Sequence, residues 1–264
     1  MNTKNKIALL CDYGLDDAIA TLYLFKYADR FEQIDIVPVA GNFPLDITYI
    51  NAKRVLSAIT SLPSNIRIVN TQSIKQNCEA IFDIHGNDGM GDIFPAEHKD
   101  SFTEITYEEW VSKIDSDYTV ISLGPCTVTA DILARKPQVE LILMAGNISE
   151  EPNYNGYEFN HGINPEAFAF TVKYPHAVAT LDTCHNPLCN LNNISFSQGG
   201  AFGEAIARYK ALSNSRNEQI CSIYDMMAIV YLVSPERFDV KEMTDPQGNK
   251  LNVLVYTDDK PVID

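Results

Sequence analysis

The 264 residues carry 35 acidic side chains against 20 lysines and arginines, a formal net charge of −15 and a pI near 4.7. That balance argues against a surface built to wrap a nucleic-acid backbone, and no apolar run approaches the ~20 residues of a membrane span. Hydrophobic residues make up 45%, ample for a core, and the absence of repeats, low-complexity stretches and linkers reads as one domain over 1–264.

The chain opens with MNTKNK, which runs into a strand pattern ending in acids and does not read as a signal peptide. Ile7 to Cys11 is an apolar run short enough for a buried strand, and it ends in Asp12. A turn through Gly14 follows, and Asp16 and Asp17 open an apolar stretch long enough for a helix. Three carboxylates thus fall at a strand's C-terminal end and a helix N-terminus, where open α/β sheets place their sites. Reading Asp16 as an N-cap and Asp17 as a first-turn acid leaves Asp12 unexplained. The helix N-terminus suits one of the three and a hard cation would hold the others; Ca²⁺ takes roughly 6–8 oxygen ligands of this kind.

Ile34 to Ala40 reads as a second strand ending in Gly41-Asn42, Asp46 to Leu62 as a helix, and Ile66 to Val69 as a third strand. This βαβαβ order favours an open, mostly parallel, Rossmann-like α/β sheet with helices on both faces. Cys78 to Pro95 reads as a long functional loop with three glycines around His85; taken alone, His85 is an ordinary histidine. Thr106 to Ile114 is a helix candidate. Tyr118 to Leu123 is a strand followed by Gly124-Pro125-Cys126-Thr127, and Val139 to Met144 is a strand followed by Ala145-Gly146-Asn147. Asp12, Asn42, Thr127 and Asn147 all stand at such ends. Turn chemistry explains each one singly, but four in one sheet favour a shared polar cleft.

Glu158-Phe159-Asn160 lies in a polar stretch, and Asn164-Pro165 starts a helix with Pro at its first position. Ala177 to Leu181 reads as a strand ending in Asp182, and Ser197 to Leu212 as a helix. Ile220 to Leu232 reads as a second late helix. Asp225 sits among its apolar residues and needs a partner or a metal if buried, or else faces solvent. The tail from Phe238 reads as an edge hairpin. The six cysteines form no C-x-x-C pair and read as thiols of a reducing cytoplasm.

Taken together, these segments resemble the nucleoside hydrolase family of the inosine–uridine-preferring type. The resemblance runs from about Lys6 to Pro235. It rests on Asp12-Tyr13-Gly14-Leu15-Asp16-Asp17, Val39-Ala40-Gly41-Asn42, the His85-Gly86-x-x-Gly89-Met90-Gly91 loop, Leu123 to Thr127, Ala145-Gly146-Asn147, Glu158-Phe159-Asn160, Asn164-Pro165-Glu166-Ala167 and Asp225. It implies calcium-dependent hydrolysis of the N-glycosidic bond of ribonucleosides in a dimer or tetramer, working in nucleoside salvage in the cytoplasm. The metal ligands implied are Asp12, Asp17, the Thr127 carbonyl and Asp225, with Asp12 also the general base for the attacking water. Asp16, Asn42, Asn147, Glu158 and Asn160 are implied to hold the ribose.

The chain departs from the family pattern at Leu10, Tyr13 and Val128, and at its shortened C-terminal end. It also has Tyr224 where purine-competent members carry a histidine. The expectation is that His85, on a loop free to close, or Tyr224 contacts the base, and that purine nucleosides are handled poorly. The alternatives are a sugar- or nucleoside-binding protein of the same fold with weak or lost activity, and a Mg²⁺-dependent phosphoryl-transfer enzyme. The second lacks a glycine-rich phosphate loop.

Overall fold

The computed structural model describes residues 6–60, 62–99, 102–194 and 199–263. In chain order it runs β1 (Lys6–Cys11), α1 (Leu15–Phe25), β2 (Gln33–Pro38), α2 (Leu45–Ser57), β3 (Ile66–Asn70), α3 (Phe82–His85), β4 (Glu104–Thr106), α4 (Tyr107–Lys113), β5 (Tyr118–Ser122) and α5 (Thr127–Arg135). Then come β6 (Glu140–Met144), α6 (Phe159–Ile163), α7 (Pro165–Thr171), β7 (Ala177–Ala179), α8 (Leu181–Cys184), α9 (Gly200–Ser215), α10 (Met226–Val233), β8 (Phe238–Thr244) and β9 (Lys250–Tyr256).

The strands form one nine-stranded sheet in the order β4-β3-β2-β1-β5-β6-β7-β9-β8. All neighbours pair in parallel except the β8–β9 hairpin. The expected open α/β sheet is therefore present. β1 shows why both faces are covered: Ile7, Leu9 and Cys11 enter one buried cluster with α1, α2, α9 and α10, while Ala8 and Leu10 enter a second with α4, α5 and α7. Period-2 alternation with both faces apolar is what a strand buried on both sides requires. After β1 the chain builds outward through β2 to β4, then returns to place β5 on the other side of β1. The C-terminal ends of β1 and β5 thus form the topological switch point of the sheet, the usual ligand crevice.

Four segments differ from the sequence reading. Glu104–Thr106 is a short edge strand ahead of α4, too brief and polar to show a strand pattern. β7 stops at Ala179 because the Thr180 hydroxyl caps α8, so Asp182 lies in a helical first turn rather than at a strand end. There its carboxylate accepts the N–H groups of Ile148, Ser149 and Glu150. The late helix begins at Met226 and not at Ile220. Asn190 and Leu191 engage the backbone of residues 219–221, which keeps that stretch from coiling. Asp225 consequently stands at the N-cap of α10. The helix read from Ser197 is α9 from Gly200; Ser197 and Gln198 lie outside the described residues. Among the described residues no helix is long and apolar enough to cross a membrane.

Candidate active site

Asp12 follows β1 directly. Tyr13 then turns the chain with φ +36°, a left-handed value that is strained for a bulky residue and typical of functional turns. Gly14 precedes α1, and the Asp17 carboxylate accepts its N–H at 2.8 Å. Asp16 and Asp17 therefore sit in the first turn of α1, where the helix dipole favours negative charge.

Asp12 is held from the neighbouring strand end. Its Oδ2 accepts the Asn42 N–H at 2.7 Å, and its Oδ1 accepts from Asn42 Nδ2 at 3.2 Å. Gly41 must be glycine here, because a Cβ would come within 2.0 Å of Asp12 Oδ2. Gly124, past β5, closes the other side: its Cβ would lie 2.9 Å from Val39 and 3.1 Å from Asp12. Burial raises the Asp12 carboxyl to about 7, against the Asn42 N–H and a hydrogen bond shared with Asp17 that favour the charged form.

Asp16, Asp17 and Asp225 bring carboxylate oxygens within 4.8 Å of one another, all buried. Among the described residues Asp16 Oδ1 and Asp17 Oδ1 have no hydrogen-bond partner. Burial, and then the neighbouring carboxylates, push Asp17 and Asp225 well above the ordinary range. Buried acids with orphaned oxygens are costly unless a positive charge completes them. The donor set is all oxygen, which suits a hard cation.

These acids border a cavity of about 450 Å³, within the roughly 300–1,000 Å³ of small-molecule sites. Asp12, Asp16, Asn42, Glu158, Asn160 and Asp225 line its polar part. The Glu158 carboxylate accepts three backbone N–H groups, from Gly146, Asn160 and His161, yet burial still raises it to about 7. Asn160 Nδ2 donates to the carbonyls of Leu123 and Met144 at 2.7 and 3.0 Å. It thereby ties α6 to the ends of β5 and β6.

His85, Tyr209, Tyr224, Ile81 and Ile84 line the rest. His85 Nδ1 accepts the Leu15 N–H at 3.2 Å, so its ring hydrogen is on Nε2, and burial lowers its pKa. The loop that carries it is fastened rather than free. Arg54 binds Asp88 and the carbonyls of Phe94 and Pro95, Arg208 binds the Gly91 carbonyl, and Arg216 binds the Ile84 carbonyl. A loop closing over the base is thus not what these contacts describe. Gly14 allows the approach, since a Cβ there would come within 2.6 Å of the His85 ring.

A family model described as inosine-uridine preferring nucleoside hydrolase matches residues 7–261. The chain belongs to this family. Membership makes it an N-ribosyl hydrolase, and the reading as a binding protein without chemistry is not favoured. It is similar, at 28% identity over 260 residues, to the pyrimidine-specific ribonucleoside hydrolase RihB of Escherichia coli O157:H7, covering 91% of this chain and 82% of that one. The purine-preferring ribonucleoside hydrolase from Gardnerella vaginalis has a similar structure, with a TM-score of 0.73, 20% identity, and 96% and 93% of the two chains covered. So has the plant nucleoside hydrolase PpNRh1, with a TM-score of 0.72, 19% identity, and 95% and 87% covered. These two likenesses speak for the fold.

In this nucleoside hydrolase the structure brings Asp12, Asp16, Asn42, His85, Glu158, Asn160, Tyr224 and Asp225 to one cavity, with Asp17 against the acids. Two expected residues do not line it. Thr127 opens α5, and its hydroxyl accepts from Asn164; the segment's lining residue is Leu123. Asn147 is buried with its amide donating to the Glu150 carbonyl and its Oδ1 unpaired. Tyr209, Leu123, Glu79 and Tyr154 line the cavity without having been read from sequence. Leu123 was in view as part of the Leu123-to-Thr127 motif; the other three carry no local signal.

Proposed function

We propose that the protein hydrolyses the N-glycosidic bond of ribonucleosides with the help of Ca²⁺, giving ribose and free base, and that it favours pyrimidine over purine nucleosides. The observation that carries this reading is the set of buried carboxylates with unpaired oxygens at the polar end of the cavity. The pyrimidine preference draws on the similarity to RihB and on Tyr224 at the base end.

Asp12, Asp17 and Asp225 would hold the ion, with Asp16 at hand and a backbone oxygen from the segment after β5. The Leu123 carbonyl already accepts the Asn160 amide at 2.7 Å, so the Thr127 carbonyl is the source of that oxygen in this reading. When bound, the ion supplies the positive charge the acids lack and favours ionisation of the attacking water. Asp12, fixed by Asn42 and walled by two glycines, accepts that water's proton as general base. Direct attack at the anomeric carbon inverts the centre. Asp16, Asn42, Glu158 and Asn160 bind ribose hydroxyls. Fixing the furanose in this way directs binding energy into orientation. His85, neutral with its hydrogen on Nε2, serves the base as a hydrogen-bond donor, and Tyr224 faces it as well. The thiols are unpaired and five of the six are buried, which suits a reducing cytoplasm.

A reducing-sugar assay across the common ribonucleosides and their deoxy forms tests this. Ribose release should be greatest with pyrimidine ribonucleosides, stop with chelator and return with Ca²⁺. No release from any ribonucleoside in the presence of Ca²⁺ overturns it.

A further inference from the structure

Behind the base end of the cavity, three side chains run outward in line. The Tyr224 hydroxyl lies 3.2 Å from His185 Nε2, and His185 Nδ1 lies 2.8 Å from Glu150 Oε2. The partners are 39 and 35 positions apart in sequence. His185 is the C-cap of α8, Tyr224 stands just ahead of α10, and Glu150 follows β6. The imidazole also meets the Tyr224 ring edge-on at 5.7 Å.

The direction of these hydrogen bonds follows from what each group can do. A carboxylate only accepts, so His185 Nδ1 carries the hydrogen of that contact, and in the neutral tautomer this leaves Nε2 a bare acceptor. The hydrogen in the 3.2 Å contact is then the phenol's. With its hydrogen engaged by His185, the Tyr224 oxygen has only lone pairs to offer the cavity. Tyr209, the second tyrosine on this wall, is engaged in the same sense: its hydroxyl donates to the Ser222 carbonyl at 2.8 Å. Both phenols beside the base are thus donors to the protein.

We propose that Glu150 and His185 are positioning residues that fix the Tyr224 hydroxyl as a hydrogen-bond acceptor, and that this acceptor selects nucleobases carrying an amino group on the edge that meets it. The inference rests on the nucleoside hydrolase reading and adds a preference for amino over unsubstituted or oxo bases. Wall polarity of this kind discriminates because an unmatched polar group in a dry pocket is left without a partner.

The test uses ribosides that differ only by the amino group: cytidine against the riboside of pyrimidin-2-one, and adenosine against purine riboside. Within each pair, kcat/KM is measured with Ca²⁺ for wild type, Tyr224→Phe, His185→Phe and Glu150→Gln. Comparing the ratio between enzymes cancels the intrinsic difference in leaving ability. The amino advantage should fall about fivefold in Tyr224→Phe, the worth of one neutral hydrogen bond. It should fall by a similar factor in His185→Phe, although the phenol oxygen is still present. A merely structural role for His185 lowers both members of a pair equally.

Glu150→Gln, at a partly exposed position, keeps the test valid if His185→Phe does not fold; its ratio should fall about twofold. A ratio that moves in Tyr224→Phe but in neither of the other variants means Tyr224 acts alone and overturns the proposal. So does a ratio unchanged in all three, or one that rises, which would make the hydroxyl a donor. No turnover of any of the four ribosides by wild type instead overturns the nucleoside hydrolase reading itself.

Discussion

Two buried acidic regions of this molecule are handled in opposite ways. Asp35, in the body of β2, is fully buried and fully served. It accepts from Arg67 Nε and Nη2 at 2.7 and 2.9 Å, from Trp110 Nε1 and the Tyr118 hydroxyl at 2.8 Å each, and from Gln33 at 2.9 Å. The acids at the end of β1 and the start of α1 are also buried, but Asp16 and Asp17 each keep one oxygen without a partner, and among the described residues no arginine or lysine forms an ion pair with them. The first region is a finished structural joint between β2, β3, α4 and β5. The second is finished only when something positive arrives. Burial alone therefore does not mark a functional carboxylate; burial without a partner does.

Breaking each region should give a different signature. The largest effect is expected from Asp12→Asn, which keeps the shape and can still accept one of the two Asn42 hydrogen bonds but cannot take a proton. Activity should drop about 10²–10⁴-fold with the melting temperature undiminished. Near wild-type turnover would remove Asp12 from the chemistry. Asp35→Ala should do the reverse. It strands the Arg67 guanidinium and two aromatic donors, and stability should fall by roughly 3 kcal/mol in denaturant titrations, while kcat per folded molecule stays level. A loss of kcat without a loss of stability would erase the contrast drawn here.

A third, smaller effect sharpens the comparison through pH. Folding raises Asp12 and Glu158 to about 7, chiefly by burial, from unfolded values of about 4. Between those limits the folded, metal-free protein binds more protons than the unfolded chain. Its stability should therefore fall as pH rises through about 4 to 7, by up to ~1.4 kcal/mol per pH unit for each group. Ca²⁺ competes with the same protons, so the stabilisation it adds should grow over the same window. Melting curves at several pH values, with chelator and with Ca²⁺, check both slopes. A chelated protein that gains stability across this range contradicts the assignment.

The parts of the site that lie next to a strand end were legible in the sequence. Asp12, Asp16, Asp17 and Asn42 could be placed because an apolar run, a glycine and a polar residue recur where the sheet meets its crevice. Asp225 could be named but not placed. The apolar residues before it imitate a helix, and contacts with Asn190 and Leu191, far away in sequence, keep them from coiling. Thr127 and Asn147 do not line the cavity, since a polar residue after a strand can serve a cap or a loop as readily as a cavity. His185 and Glu150 were beyond reach of the sequence: three loops must fold before they meet Tyr224. The clamp on the His85 loop was hidden for the same reason, because the arginines that form it come from α2, α9 and the residue that caps α9.

The two glycines that wall in Asp12 have a consequence for redesign. Positions 41 and 124 have no room for even a methyl group, so the acidic end of the cavity offers an engineer almost no sequence space. Ile81, Ile84 and Tyr224, by contrast, line the cavity from segments outside the central strands. A library meant to change which base is accepted belongs on those three positions, with the ends of β1, β2 and β5 left as they are.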